Sequence, residues 1–531
     1  MNPDVPGIPS HLEHTFYYYG IPSQPALVAR SSTHRWVEPV GAEAYLVTKE
    51  LMPVGPHNLV QIWEPTLSTL VEKYLDSQKI TWSSIDPARI GYTGSPAPPV
   101  ILWIGVAPRS LMAAKGLEVA LGCHKILVDH GVDDVHVELR ESMVYLYAKL
   151  YKTVRTIDPT AQAREPFATT LGLPIANAST PNLEGTGGFF FVDSNRPGKL
   201  FLLTARHVLF HPDRTKNELY IHSSSQPPVK VILLGDDALK NCTGAIPEEI
   251  LGKESVLQQL QARKRSVDKQ DDDEAEEERK EVLRLEGEAQ KAITALRQLL
   301  DEVRRDWDPP ADRVIGHVVL SPPLGFGVGP AQYTEDWAVV EVYSSAVNKS
   351  NFKANCIDLG TSIRVEHFTS WMHPHPSNPS SFTYPGDRLI RFSGTITDSE
   401  LGNTNRQTLD HDGQPALMVI KRGGASGLTV GRLNDIRSVK HDYFEGKDGQ
   451  SSREVAIFPR NSKSRPFSDP GDSGSAVIDG TGRIAGILTG GAGATPVSDC
   501  TYVTPISFLI HQLQRYGFNP NIFPTIDDLS S

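Results

Sequence analysis

Residues 471–475 read Gly-Asp-Ser-Gly-Ser, and the interpretation of the whole chain starts from this stretch. Glycine adopts backbone conformations that are closed to other residues, so a serine between glycines can sit on a tight, exposed turn. Gly471 would allow its own N–H and that of Ser473 to point at one spot, where an oxyanion could form. Ser475 stands where the nucleophile elbow Gly-x-Ser-x-Gly has its second glycine, which argues against an α/β-hydrolase.

Two segments upstream supply the partners that such a serine needs. Residues 204–207 read Thr-Ala-Arg-His and residues 335–340 read Glu-Asp-Trp-Ala-Val-Val, each at the end of a predicted strand. A serine hydroxyl is a poor nucleophile until an imidazole accepts its proton, and a carboxylate fixes the tautomer of that imidazole. His207, Asp336 and Ser473 can fill these three roles from separate loops.

In their chain order His, Asp, Ser, the three segments resemble the trypsin- or chymotrypsin-like serine peptidase family. The resemblance implies two β-barrels, with His207 as the general base, Asp336 as its orienting carboxylate and Ser473 as the nucleophile. It also implies that the N–H groups of Gly471 and Ser473 form the oxyanion hole.

Three more stretches match the second barrel of that family. Residues 421–431 resemble a glycine-rich hairpin found in intracellular fungal, plant and bacterial members, residues 486–491 the strand that pairs with substrate, and residues 502–506 the strand that closes the specificity pocket. The resemblance thus spans about 183–515. It implies a set of substrate-binding residues: Phe467, Thr489, Gly490 and Gly491. Phe467 would lie at the base of the primary pocket and favour an apolar or small residue before the cleaved bond.

The departures from the family pattern concern activation. No cysteine stands directly after His207 or directly before Gly471, so the usual secreted disulfides are missing, which fits an intracellular, fungal-type member. No activation cleavage sequence precedes the first strand, Gly187 to Val192. In the secreted enzymes a freed N-terminus pairs with the Asp before the serine, and for Asp472 that partner is unidentified. We therefore do not expect zymogen activation of that type.

The pattern along the chain predicts several domains. An apolar run at 100–106, an Ala- and Leu-rich stretch at 110–130 and an alternating stretch at 135–142 indicate a strand, a helix and a strand. After the Pro-rich residues that follow, many short strands with Gly, Pro and Asn turns indicate an all-β double barrel. The predicted domains are a loosely ordered lead-in (1–35), a small α/β domain (36–155), a linker (156–182), a trypsin-like domain (183–515) and a C-terminal tail (516–531).

Residues 246–307 interrupt the β pattern with strong helix formers. An apolar seam stepping by three and four predicts a coiled coil or a two-helix hairpin inserted in the protease domain, of which the hairpin is favoured. The seam consists of Val282, Leu285, Ala289, Ala292, Leu296, Leu299 and Val303. A coiled-coil partner for 246–307 is one interpretation, and a charged, solvated face without a partner is the other.

Composition excludes several classes of protein. The chain has 531 residues, of which 39% are hydrophobic and 22% charged, which predicts two to four folded domains. No apolar run reaches the roughly 18 residues of a membrane span, and a net charge of −11 argues against nucleic-acid binding. Four scattered cysteines and the lack of a secretory signal predict an intracellular, cytoplasmic protein. We expect no metal or organic cofactor, and His367, His373 and His375 are interpreted as part of a surface turn.

The sequence therefore predicts a serine endopeptidase that hydrolyses protein or peptide substrates through an acyl-enzyme and that could process itself in the Pro-rich stretch. The alternative is a catalytically idle protease-fold scaffold that recruits protein partners through the N-terminal domain and the coiled coil.

Overall fold

The chain is built mostly of β-sheets, with helices, and divides into two compact units. Unit 1 comprises residues 1–146 and 223–227, and unit 2 comprises residues 147–222 and 228–531. The computed structural model describes residues 6–21, 24–37, 46–142, 149–223, 226–377, 382–403, 406–442, 449–493 and 498–529.

Unit 1 holds a five-stranded sheet of order β1-β5-β4-β3-β2, in which only β4 and β5 run parallel among the described strands. The helix between them, α4, packs its apolar side on the sheet and forms the βαβ element that the sequence predicts. The helices are α1 (His11–Phe16), α2 (Leu59–Ile62), α3 (Ser68–Ser77) and α4 (Ala113–Asp129); the strands are β1 (Leu27–Arg30), β2 (Lys49–Met52), β3 (Trp82–Tyr92), β4 (Val100–Val106) and β5 (His136–Glu141).

The first large sheet of unit 2 has nine strands, and Phe189, Phe190 and Phe191 on one of them are fully buried. Its order is β26-β8-β9-β15-β12-β11-β6-β7, and β10 pairs with β12. Its strands are β6 (Leu173–Asn177), β7 (Glu184–Gly187), β8 (Phe189–Asp193), β9 (Arg196–Thr204), β10 (Tyr220–Ile221), β11 (Lys230–Leu233), β12 (Val314–Ser321), β15 (Ala338–Val342) and β26 (Pro520–Asn521).

The second large sheet of unit 2 has eight strands, and two further sheets have two strands each: β13–β14, between β12 and β15 in the chain, and β16–β17, after β15. The two-stranded sheets are β13 (Gly325–Val328) with β14 (Tyr333–Glu335) and β16 (Cys356–Asp358) with β17 (Leu389–Arg391). The eight strands are β18 (Gly394–Thr395), β19 (Leu417–Gly423), β20 (Gly427–Leu433), β21 (Ser438–Asp442), β22 (Gln450–Pro459), β23 (Ala476–Asp479), β24 (Arg483–Ala492) and β25 (Cys500–Pro505).

Two long helices lie between β11 and β12 in the chain and pack antiparallel to each other. Arg263, near the end of α7, pairs with Glu278, near the start of α8, and Arg297 of α8 pairs with Glu254 of α7, as expected for two helices that run in opposite directions. Trp307, at the end of the second helix, is buried in the main core of unit 2. The helices of this unit are α5 (Ala161–Arg164), α6 (Arg206–Leu209), α7 (Asp236–Val267), α8 (Asp273–Trp307), α9 (Val365–Met372), α10 (Asp398–Leu401) and α11 (Ile506–Arg515).

Most of the predicted seam on α8 is buried, and Leu285 is half-buried. Helix α7 starts at Asp236, ten residues before the predicted boundary at 246. Pro247 lies inside α7, and because an interior proline usually ends or kinks a helix, the sequence pattern places the helix start beside this proline and not ten residues earlier.

Three segments expected to be loose are folded in part. The predicted linker, 156–182, contains α5 and β6, and β6 pairs with β7 and β11 inside the nine-stranded sheet. The predicted tail, 516–531, contributes β26, and Phe518 is buried against the core. The lead-in, 1–35, contains α1 and β1, with Tyr18 1% exposed. In each case a short strand or a single aromatic residue supplies burial that prolines and turn residues obscure in the sequence.

None of the helices described is long and apolar enough to cross a lipid bilayer. Cys123, Cys242, Cys356 and Cys500 are all free thiols.

Candidate active site

His207 and Asp336 are brought together by the register of two neighbouring strands. β9 ends at Thr204, directly before the short helix α6 that carries His207, and Asp336 lies between β14 and β15. Since Thr204 pairs with Ala338, the segments that hold the imidazole and the carboxylate emerge side by side. Asp336 Oδ2 lies 2.6 Å from His207 Nδ1, and Oδ1 accepts the His207 backbone N–H at 3.0 Å.

This pair is asymmetric in its exposure and charge. The Asp336 side chain is 4% exposed, whereas that of His207 is 29% exposed. Burial disfavours the carboxylate, but the charge and hydrogen bonds of His207 outweigh it and lower the pKa of Asp336. Burial likewise disfavours the charged imidazole, but Asp336 outweighs it and raises the pKa of His207. In this arrangement Nδ1–H of His207 donates to the Asp336 carboxylate, and Nε2 is left to exchange a proton with another group.

Ser473 lies on a loop that is tied to strands of both large sheets. The Ser473 carbonyl accepts the N–H of Thr186 at 2.7 Å, and Gly474 N–H donates to the Leu488 carbonyl at 2.7 Å. Gly471 has φ +99°, the left-handed conformation that favours glycine. Among the described residues, the N–H groups of Gly471 and Ser473 donate to no protein acceptor. These two donors are therefore available to a ligand.

Ser473, His207 and Gly471 line one cavity of about 630 Å³. No hydrogen bond within the described part of the chain joins the Ser473 hydroxyl to the imidazole, although hydrogen bonds of this kind often tighten only around substrate. Asp237 and Cys242, from the start of α7, line the same cavity. The structure thus places the predicted base and nucleophile in one cleft, next to the start of α7.

Asp472, directly before Ser473, forms a sealed ion pair. Its Oδ2 lies 2.6 Å from Lys421 Nζ, and both side chains are 0% exposed. Ser426 donates its hydroxyl to the same Oδ2 at 2.6 Å, and the N–H groups of Ala425 and Ser426 donate to Oδ1. Burial opposes the charge, yet Lys421 and these donors lower the pKa of Asp472. Lys421 is thus the partner of Asp472 that sequence analysis leaves unidentified.

Packing around this pair explains a neighbouring glycine. A Cβ on Gly423 would lie 2.1 Å from Asp472 Oδ1, so any side chain there would displace the carboxylate. Lys421 was missed because nothing in the local pattern links it to a residue 51 positions away. The available signal was a lysine inside the apolar strand β19, since a buried lysine requires an acidic partner.

The four predicted substrate-binding residues are placed differently from one another. Phe467 is 1% exposed and packs in the core beneath the eight-stranded sheet, and it does not line the cavity that holds Ser473. Thr489 is buried, with its hydroxyl 3.2 Å from that of Thr504. Gly490 and Gly491 lie on β24, just beyond Leu488, whose carbonyl binds the loop of Ser473. β24 therefore runs past Ser473, whereas the Phe467 ring faces the interior.

The three histidines interpreted as a surface turn bind separate groups. His373 Nε2 lies 2.9 Å from the carbonyl of Phe382, His375 accepts the N–H of Ser377, and His367 contacts Arg364.

Comparison with known proteins finds structural neighbours only. No family model and no curated protein matches the chain. A glutamic acid-specific serine protease with a histidine triad in substrate binding has a TM-score of 0.28 at 12% identity, over 67% of this chain and 100% of its own. Thermobifida fusca protease A scores 0.27 at 11% identity, over 65% and 96%. The Nocardiopsis protease NAPase scores 0.27 at 13% identity, over 67% and 100%.

These neighbours are trypsin- or chymotrypsin-like serine proteases. At TM-scores this low, nothing about the activity of the present chain follows from the likeness. The functional argument therefore depends on the geometry of the site.

Proposed function

We propose that the chain is a serine endopeptidase whose nucleophile is Ser473, whose general base is His207 and whose orienting carboxylate is Asp336. The observation that carries the proposal is the His207–Asp336 pair, joined by two hydrogen bonds and facing the cavity that Ser473 also lines. We also propose that the two large sheets form the two barrels of a trypsin-like domain, with α7 and α8 as an insertion.

The proposed reaction follows from the positions of the donors and acceptors. His207 Nε2 takes the Ser473 proton as the hydroxyl attacks a peptide carbonyl, and Asp336 stabilises the imidazolium that forms. The N–H groups of Gly471 and Ser473 donate to the oxyanion, each supplying roughly 3–4 kcal/mol by mutational precedent. His207 then protonates the leaving amine, and water hydrolyses the acyl-enzyme.

The Lys421–Asp472 pair supports a loop that is formed without proteolytic activation. In this proposal the buried ammonium of Lys421 does for Asp472 what a freed N-terminus does in secreted relatives. The full-length chain is then competent as synthesised.

Labelling with a fluorophosphonate probe tests the proposal, because the probe reacts only with an activated serine. We expect the wild type and Ser255→Ala to label equally, since Ser255 is an exposed serine on α7. Ser473→Ala should not label. A folded wild type that takes up no probe, or a Ser473→Ala variant that labels as well as the wild type, would contradict the proposal.

The second candidate is a protease-fold scaffold without catalysis. The observation in its favour is that no hydrogen bond in the described residues joins Ser473 to His207. This alternative predicts no labelling of a folded wild type, so the same experiment separates the two. A protein partner for the helices at 246–307, and a location inside the cell, remain proposals that belong to either candidate.

Self-processing is a narrower part of the proposal. Since β6 is embedded in the nine-stranded sheet, the accessible bonds of the Pro-rich stretch lie outside it, for example around Ile157, which is 88% exposed. The intact masses of wild type and Ser473→Ala provide the test. A wild type that matches the full length of Ser473→Ala after prolonged incubation would reject self-cleavage.

A further inference from the structure

A second cavity, of about 500 Å³, lies outside the cleft of Ser473 and His207, neither of which lines it. It is bounded by the β19–β20 hairpin, by residues 460–466 and by Trp371 of α9. Its size falls within the range of about 300–1,000 Å³ that small-molecule sites occupy. We call it the basic cavity.

The charged residues described around the basic cavity are all cationic. Arg422, Arg460, Lys463 and Arg465 line it, and no Asp or Glu in the described part of the chain does. Arg422 is neutralised by Glu165 at 2.5 Å. The other three have no carboxylate partner among the described residues. Three uncompensated cations around one space repel each other and favour a multiply charged anion.

Two of these cations contact groups that carry no charge: an aromatic ring for Arg460 and a backbone carbonyl for Arg465. The Arg460 guanidinium lies 4.9 Å from the centre of the Trp371 ring, and burial lowers the pKa of Arg460. Arg465 donates to the Ser426 carbonyl at 2.9 Å. A guanidinium fixed against an aromatic ring keeps its N–H donors in a plane that matches a phosphate oxygen pair.

The chemistry favours phosphate over a single carboxylate. A phosphate monoester carries about −1.5 to −2 charges near neutral pH, and a pyrophosphate group carries more, whereas a carboxylate carries one. Trp371, Ile363 and Leu428 add apolar surface to the same cavity. The basic cavity therefore offers charge for phosphate groups and a planar wall for an attached carbon skeleton.

We propose that the basic cavity is a binding site for a small molecule that bears a phosphate or pyrophosphate group, recognised by Arg460, Lys463 and Arg465. The site is separate from the proposed catalytic cleft, so it stands whether or not Ser473 is a nucleophile.

Isothermal titration of the full-length protein at low salt tests the site, with sodium pyrophosphate and adenosine diphosphate as separate probes. We expect saturable one-to-one binding that Lys463→Gln/Arg465→Gln weakens at least tenfold. Both side chains belong to exposed residues, so the double variant should keep the fold. Arg304→Gln, which removes an exposed cation of α8, should bind within twofold of the wild type.

Arg460→Gln is the second variant, because it tests the cation against Trp371. It should also weaken binding about tenfold while the thermal unfolding midpoint stays close to that of the wild type. Tighter binding of the nucleotide than of pyrophosphate would show that the apolar wall takes part, and equal binding would show that the phosphates suffice. No saturable binding of either probe, or binding that both variants leave unchanged, would overturn the proposal.

Discussion

Asp336 and Asp472 are both buried carboxylates beside the candidate cleft, but their cationic partners differ in access to solvent. His207 keeps 29% of its side chain exposed, whereas Lys421 is fully enclosed. The partner of Asp336, His207, can release a proton to a neighbouring group. The partner of Asp472, Lys421, has its ammonium bound by the Asp472 carboxylate and the Ser426 hydroxyl. In the proposed mechanism the first pair serves proton transfer, and the second holds the loop of Ser473 in shape.

The largest expected effect is on the first pair. Asp336→Asn should lower the rate of probe labelling by about 10⁴, because an amide cannot hold the required imidazole tautomer. The unfolding midpoint should change far less than the rate. Labelling kinetics with Asp301→Asn, an exposed change on α8, provide the reference. An Asp336→Asn variant that labels at the wild-type rate would remove Asp336 from the mechanism.

The second pair should respond in stability. Lys421→Met leaves the Asp472 charge buried and unpaired, which should cost about 3–5 kcal/mol in the free energy of unfolding. Lys421→Met/Asp472→Leu should recover much of that loss while labelling stays low, because the loop loses its anchor. Urea denaturation followed by probe labelling measures both. Full labelling by a folded double variant would contradict the structural role of this pair.

The pH dependence separates the two pairs without mutation. The raised pKa of His207 stabilises the fold below about pH 6.5, the ordinary value, and that contribution is lost as pH rises through the folded pKa. The lowered pKa of Asp472 stabilises the fold above about pH 4 and is lost as pH falls through the folded pKa. Between about pH 4.5 and 6 the chain should therefore stay folded while His207 is protonated.

Within that range the labelling rate should fall about tenfold for each pH unit of acidification, because only the neutral imidazole accepts the serine proton. Circular dichroism should remain unchanged over the same range. If labelling and the circular dichroism signal fall together, the loss is unfolding and the comparison of the two pairs fails.

The smallest expected effect is at an ion pair on the surface. Arg391 and Asp387 lie 2.6 Å apart with side chains about half exposed. Asp387→Asn should change the free energy of unfolding by about 0.5 kcal/mol or less, because solvent screens exposed pairs. Urea denaturation checks this value. If Asp387→Asn lowers the free energy of unfolding as much as Lys421→Met does, burial does not explain the difference between the Arg391–Asp387 and Lys421–Asp472 pairs.

The sequence predicts the parts of the site that lie in short motifs at strand ends. His207 follows β9 and Asp336 precedes β15. Because functional side chains often lie on loops at strand ends, these positions predict that both residues lie near a cleft. That these strands pair with Thr204 opposite Ala338 is a property of the folded sheet, which no local pattern encodes. The strand–helix–strand pattern of unit 1 also lies in one continuous stretch of sequence, and it corresponds to β4, α4 and β5, whose two strands pair in parallel.

Long-range contacts account for what was not predicted. Lys421 meets Asp472 only because β19 runs past the loop of Ser473. The sequence of β6 resembles a linker because its prolines obscure a strand that pairs with β7 and β11. Phe467 was placed by counting residues from Ser473, but its ring turns into the core. The basic cavity likewise draws on distant segments, with Trp371 and Arg460 in contact across 89 positions of sequence.

The most direct test of the central claim is the rate at which a fluorophosphonate adduct forms on Ser473, located by peptide mass spectrometry in wild type and His207→Ala. The account predicts one adduct per wild-type chain, on the peptide that contains Ser473, and a rate at least 10³-fold lower for His207→Ala. An adduct on another residue, or equal rates in the two proteins, would contradict it.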